Sequence, residues 1–254
     1  MSLGLFTRKA SSLRILTYHD ITDDKEDLYA VTKRQFSEHL SVLKNEGYTT
    51  LRACDLVSDF ASVLSRDKVV LLTFDDGYIS NRDIAVELLI RYGMTATFFV
   101  VSSMLSISRK RCIFSGKEHL FLSREDLRQM VLGGFEIGSH SHTHAMLGKI
   151  SQEKVETEVL LSKQILENAI DRDILSFAYP FGQRDAFSQI TRSIISKSGY
   201  LTALTQEGFG ITSGCDLLQL PRMSIDRFDS PSSFLRKLNG SYDFINKAGK
   251  IKFS

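Results

Sequence analysis

Lys68-Val69-Val70-Leu71-Leu72-Thr73-Phe74, running directly into Asp75-Asp76-Gly77, is the stretch on which the reading of this chain turns. Its apolar and β-branched side chains are not interrupted by the alternating polar positions of a half-exposed strand. Such a run reads as a strand covered on both faces, the kind found in parallel sheets. A pair of carboxylates at its end sits where loss of hydration is expensive, so something positive must compensate. Asp-Gly is also common turn chemistry, and taken alone the turn is the simpler reading.

Similar apolar runs recur at Leu13–Tyr18, Tyr48–Thr50, Thr95–Val101, Phe135–Gly138, Ile174–Tyr179, Tyr200–Leu204 and, briefly, Leu218–Leu220. Amphipathic segments lie between them. Phe36, Leu40 and Leu43 recur at i, i+4, i+7, with Thr32 and Gln35 as a capping box ahead of them and Gly47 as the stop. Asn81–Tyr92 carries Ile84, Leu88 and Leu89 and ends at Gly93. Gln152–Ala169 carries Val155, Val159, Ile165 and Leu166 behind Ser151 as N-cap, and Ala186–Ser198 ends at Gly199. Strand and helix in alternation predict a parallel sheet with helical crossovers. Seven or eight such units can close into a (β/α) barrel with outer helices, regular or not. An open doubly wound sheet is the competing architecture, but its glycine-rich phosphate fingerprint is absent. The segment Ser102–Leu122 is long for a strand-to-helix connection, a length at which lids and binding loops occur.

The 254 residues are 43% hydrophobic and 24% charged, as in an ordinary globular protein. An α/β barrel commonly uses about 250 residues as one domain, and one domain is expected here. A net charge of +2 gives no argument for a nucleic-acid partner. The dense basic cluster Arg109-Lys110-Arg111 reads as a solvated loop. Cys54, Cys112 and Cys215 are scattered and odd in number, which argues against a disulfide framework. No apolar run has the length of a signal-peptide core or of a membrane helix. As written the chain reads as cytoplasmic; a removed leader would place it outside the cytoplasm.

The chemistry-bearing residues share one position. Asp75-Asp76, His140, Tyr179-Pro180 and His19 each follow a predicted strand, and in a parallel barrel those strand ends open onto one face, where active sites are built. His140-Ser141-His142-Thr143-His144 places three of the six histidines within five residues. If this segment begins a helical turn, His140 and His144 lie on one face and can hold a metal, with His142 pointing away. Two imidazoles and one carboxylate make a three-ligand site with a position left for water.

Thr73-Phe74-Asp75-Asp76-Gly77 and His140-Ser141-His142-Thr143-His144 resemble the first two motifs of the polysaccharide deacetylases, the NodB-homology carbohydrate esterases. Phe177-Ala178-Tyr179-Pro180-Phe181-Gly182 resembles the third motif. Tyr18-His19 and Leu220-Pro221-Arg222 resemble a branch with permuted motif order, whose members act on exopolysaccharides containing N-acetylglucosamine. The resemblance runs from about Leu13 to about Gly240. It implies a distorted (β/α) barrel, an N-acetylated carbohydrate as substrate, and a divalent metal, usually zinc, on Asp76, His140 and His144. It further implies Asp75 as general base and the Phe181 N–H as part of an oxyanion hole. Ala178 stands where many members carry an arginine that positions the base, and Arg222 is the candidate to replace it. No histidine follows His144, so the usual late general acid is missing; the resemblance to the permuted branch moves that role to His19. The competing functions are deacetylation of a lipid-linked or nucleotide-linked sugar or another amide in the cytoplasm, and carbohydrate binding without catalysis.

Overall fold

The computed structural model describes residues 13–107, 112–114, 116–208 and 210–241. In chain order the elements are β1 Leu13–Tyr18, α1 Lys33–Asn45, β2 Thr49–Leu51, α2 Asp55–Ser58, α3 Phe60–Ser65, β3 Val69–Phe74, α4 Glu87–Tyr92, β4 Thr97–Val100, β5 Cys112–Phe114, β6 Lys117–His119, α5 Arg124–Leu132, β7 Glu136–Ser139, α6 Gln152–Ile170, β8 Ser176–Ala178, α7 Gln189–Lys197, β9 Thr202–Leu204, β10 Met223–Ser224 and α8 Pro231–Leu238.

The main sheet runs β10-β1-β3-β4-β7-β8-β9, with β2 added against β3, and every pairing in it is parallel. Its curl is nearly closed: Leu220 bridges Leu204 at the end of β9, and three residues on, β10 pairs with β1. This is the distorted barrel expected. The distortion has a visible source. β3 pairs with β2 through Val69–Leu71 but with β4 only at Thr73 and Phe74, so β2 is wedged into the N-terminal end of the sheet.

Side-chain alternation divides the core into two layers. Leu13 and Ile15 of β1, Val69 and Leu71 of β3, Phe99, Ala178 and Leu204 pack together inside the barrel. Leu16, Tyr18, Val70, Leu72, Phe74 and Phe98 face outward onto the helices. Gly138 belongs to the inner layer, and a Cβ there would come within 2.5 Å of the Phe99 ring, so only glycine leaves room for that ring.

Three expectations need correction. The helix over Asn81–Tyr92 is wound as a wider π-helix through Val86 and becomes α only at Glu87, a distinction that apolar spacing over one or two turns does not resolve. The helix expected from Ala186 begins at Gln189, where Ser188 and Thr191 form a capping box. The strand over Leu218–Leu220 is only the Leu220 bridge, and the paired strand is β10; Pro221, with no N–H, separates the two. Ser102–Leu122 contains a 3-10 turn and the antiparallel hairpin β5–β6. The Arg109-Lys110-Arg111 cluster lies outside the described residues. No helix among the described residues is long and apolar enough to cross a membrane.

Candidate active site

Asp75 and Asp76 leave β3 together, yet alternation alone would send them to opposite faces. Asp75 continues the inward series Val69, Leu71, Thr73. Asp76 is turned back by its left-handed backbone, φ 72°, so that Oδ1 lies 3.5 Å from His144 Nε2 and 3.7 Å from His140 Nε2. Among the described residues six non-glycine positions have positive φ, and four of them, Asp76, Ser141, His144 and Phe181, belong to this site. Each costs on the order of 1 kcal/mol, a concentration of strain typical of functional sites.

Arg222, just ahead of the edge strand β10 and two strands from β3, grips Asp75 with a two-pronged fork: Nη1 to Oδ1 and Nη2 to Oδ2, both 2.7 Å. Its Nε donates to the Thr205 carbonyl at 3.1 Å, and its guanidinium lies 5.4 Å from the centre of the Phe99 ring. The side chain is fully buried. Burial would raise the Asp75 pKa, but the Arg222 charge and hydrogen bonds, with the nearby His140 imidazole, outweigh it and hold the carboxyl down at about 2. Asp75 is therefore ionised at neutral pH.

His140 extends the inward face of β7. Its Nδ1 donates to the Ala178 carbonyl at 2.8 Å; a carbonyl only accepts, so the lone pair is at Nε2, facing the aspartates. The segment to His144 is not the helical turn anticipated from i, i+4 spacing. Its backbone donors are satisfied by side chains instead. Glu158 of α6 accepts from the N–H groups of His142 and Thr143, at 2.9 and 2.8 Å, and Ser141 Oγ accepts from that of His144 at 3.0 Å. The left-handed turns at Ser141 and His144, rather than helical periodicity, bring the two imidazoles to one place, 4.9 Å between ring centres. His142 does point away, to Ser102 Oγ at 2.9 Å. Burial, reinforced by His140, pushes His144 down to about 4, leaving it neutral and able to ligate.

One ligand atom each from Asp76, His140 and His144 lie within 4.8 Å of one another. Ligands about 2.1 Å from a shared tetrahedral ion stand roughly 3.4 Å apart, close to the 3.5 and 3.7 Å between Asp76 Oδ1 and the two imidazole nitrogens. Asp76 Oδ1 is moreover buried without a hydrogen-bond partner, an atom left for a cation. The donor set thus fits a divalent metal.

A cavity of about 540 Å³ opens over this cluster and is lined by His19, Asp75, Asp76, His140, His144 and Phe181, while Arg222 lies beneath Asp75. Of the residues singled out from the sequence, these six line the cavity and Arg222 reaches it through Asp75, whereas the Tyr179 hydroxyl donates elsewhere, to the Leu218 carbonyl at 2.9 Å. His19 is anchored through its carbonyl, which accepts from Asn81 Nδ2 at 2.9 Å, while its ring Nδ1 has no hydrogen-bond partner. Phe181, half-exposed, lies 4.8 Å from the His144 ring and has φ 64°. At the following Gly182, φ 62°, a Cβ would come within 2.7 Å of the Gln206 nitrogen.

Glu158 was missed from the sequence although a signal exists. It falls with Ser162 on the stripe Val155, Val159, Leu166 that α6 buries, and a carboxylate on such a stripe needs a partner. Tyr78, Asp20 and His119 also belong to the cavity wall or its support, and no spacing rule connects them.

The family model for polysaccharide deacetylase matches residues 63–203, more than half of the chain. The Bacillus subtilis (strain 168) protein YxkH, named as a candidate polysaccharide deacetylase, is 28% identical over 238 residues, 92% of this chain and 78% of its own. The Streptococcus pyogenes deacetylase PplD, solved in complex with acetate, has a TM-score of 0.77 at 26% identity, covering 89% of this chain and 97% of that one. IcaB from Ammonifex degensii, with a TM-score of 0.77 at 21% identity over 91% of this chain and 97% of its own, shares the fold. Since the matched span holds both the Asp75-Asp76 strand end and the His140–His144 loop, the chain belongs to the polysaccharide deacetylase family.

Proposed function

We propose that this chain, as a single deacetylase domain, hydrolyses acetyl groups from an N-acetylated carbohydrate with a divalent metal, zinc in our reading, held by Asp76, His140 and His144. The observation that carries the proposal is the ionised, Arg222-forked Asp75 standing 3.7 Å from His140 Nε2, inside the same cavity as the three-ligand cluster. The metal, when bound, supplies polarisation of the acetyl carbonyl and acidification of a water toward neutral pH.

The chain's own groups do the rest. Asp75 takes the proton of the attacking water, and Arg222 keeps the carboxylate ionised and correctly aimed. The Phe181 N–H, presented by a left-handed turn, donates to the carbonyl oxygen as it gains charge. His19 gives a proton to the departing amine, a role supported by the place of its side chain in the cavity wall. Arg222 thereby serves in place of the arginine that Ala178 lacks. YxkH is named for polysaccharides, and a Bacillus cereus relative, 28% identical over 144 residues, is named as acting on peptidoglycan N-acetylglucosamine; these names support a polymer of N-acetylated sugars.

The test is acetate release from N-acetylglucosamine oligomers, peptidoglycan fragments and nucleotide-linked N-acetyl sugars, with and without chelator. Release from the oligomers that stops with chelator and returns with zinc is expected. Release that is insensitive to chelator would remove the metal from the proposal.

A further inference from the structure

The β5–β6 hairpin brings to the cavity a histidine that the proposed chemistry leaves unused. His119 closes β6 and its side chain is only 8% exposed, with Nδ1 3.2 Å from Asp20 Oδ2. Asp20 is itself fixed, its Oδ1 accepting from the Ile21 N–H at 2.8 Å and from Ser80 Oγ at 2.5 Å. The imidazole packs on Tyr78, 4.4 Å between ring centres. A carboxylate only accepts, so His119 carries a proton on Nδ1, and the neutral imidazole presents Nε2 as an acceptor. Among the described residues the imidazole makes no hydrogen bond besides the one to Asp20, and His119 lines the cavity.

This is a built arrangement: carboxylate, hydroxyl and aromatic ring together set one imidazole in one tautomer and one orientation. It stands apart from the ligand cluster, which does not include His119, with Tyr78 alongside Asp76 between them. A group there is placed to touch the sugar rather than the reacting acetyl.

Resting on the carbohydrate reading above, we infer that His119, oriented by Asp20, is a substrate-binding residue whose Nε2 accepts a hydrogen bond from a hydroxyl of the N-acetylated sugar. One neutral hydrogen bond of this kind is worth about 3- to 10-fold in affinity. His119→Phe keeps the packing on Tyr78 and loses the acceptor; His119→Gln keeps an acceptor and loses much of the packing. Asp20→Asn donates to Nδ1 and moves the ring proton to Nε2, converting the acceptor into a donor.

The experiment is calorimetric titration of zinc-loaded wild type and variants with N-acetylglucosamine oligomers, alongside KM and kcat for acetate release. Zinc content and thermal unfolding confirm that each variant is folded and loaded. The inference expects His119→Phe and Asp20→Asn to weaken binding and raise KM about 3- to 10-fold with kcat little changed, and His119→Gln to recover most of the loss. It also expects the Asp20→Asn/His119→Phe double variant to be no weaker than either single one. Wild-type affinity in His119→Phe, or equal losses in His119→Phe and His119→Gln, would overturn it. Binding without acetate release from wild type would sink the deacetylase proposal, while the variant series would still decide the role of His119.

Discussion

At the N-terminal end of the barrel the Glu136 carboxyl is enclosed by neutral donors. Thr97 Oγ1 lies at 2.7 Å, Ser176 Oγ at 2.5 Å and the Cys54 N–H at 3.0 Å. At the C-terminal end the Asp75 carboxyl meets the Arg222 guanidinium through two bonds of 2.7 Å. Burial pushes both carboxyls up. For Glu136 the neutral hydrogen bonds do not offset it, and its pKa stays raised. For Asp75 the fixed cation and His140 more than offset it, and the value falls to about 2. Hydrogen bonds satisfy a buried carboxyl; a buried cation is what keeps it a base. One end of the barrel is thus a structural plug and the other a reactive surface.

The sharpest ways to break this contrast lie at the reactive end. His140→Ala removes one of the three proposed ligands and the imidazole that donates to the Ala178 carbonyl; bound zinc should be lost, and acetate release should fall by about 10³-fold or more. Metal analysis of the purified variant beside its turnover checks both. Arg222→Met leaves Asp75 charged, buried and unpaired, which should cost about 3–5 kcal/mol in urea unfolding. The same deletion should matter less as the pH falls through the Asp75 range. Its folded pKa is depressed, so the stability it contributes is present above the unfolded carboxylate value and is lost as pH drops toward about 2. Glu158→Ala frees the histidine loop without touching a ligand; zinc affinity should weaken about 10- to 100-fold, read by competition with a chromophoric chelator.

The smallest effect belongs to the plug. Glu136→Gln keeps an acceptor for Cys54 and Thr97 and removes a group whose charged form is disfavoured by burial. Because its folded pKa is raised, Glu136 costs stability as pH rises above the unfolded glutamate value. The variant should be more stable than wild type at pH 7, with the advantage lost as pH falls below the unfolded glutamate value of about 4. Urea midpoints at the two pH values measure it, and a variant less stable at pH 7 would contradict the contrast.

The sequence exposed the parts of the molecule that obey short-range rules. β3 reads as a buried strand because its apolar run fills both faces, and α1 reads from its stripe and its Thr32–Gln35 box. Helix α5 was overlooked although Ser123 and Asp126 form a capping box, and α8 although Ser230-Pro231 marks its start; both are short, with few apolar positions to show a period. In the site, strand-end logic found Asp75, His140 and His19. It found the His140–His144 pair for a helical reason that the loop does not bear out, since left-handed turns and Glu158 shape it. The Asp20–His119 pair is separated by 99 positions, and only the tertiary fold joins it.

The account rests on Asp75 as an ionised base whose work is separable from metal binding. Turnover of N-acetylglucosamine oligomers by wild type and Asp75→Asn, at equal and measured zinc occupancy, tests that directly. The account predicts full occupancy in both and a rate about 10²- to 10⁴-fold lower in the variant. Near wild-type turnover by zinc-loaded Asp75→Asn would contradict it.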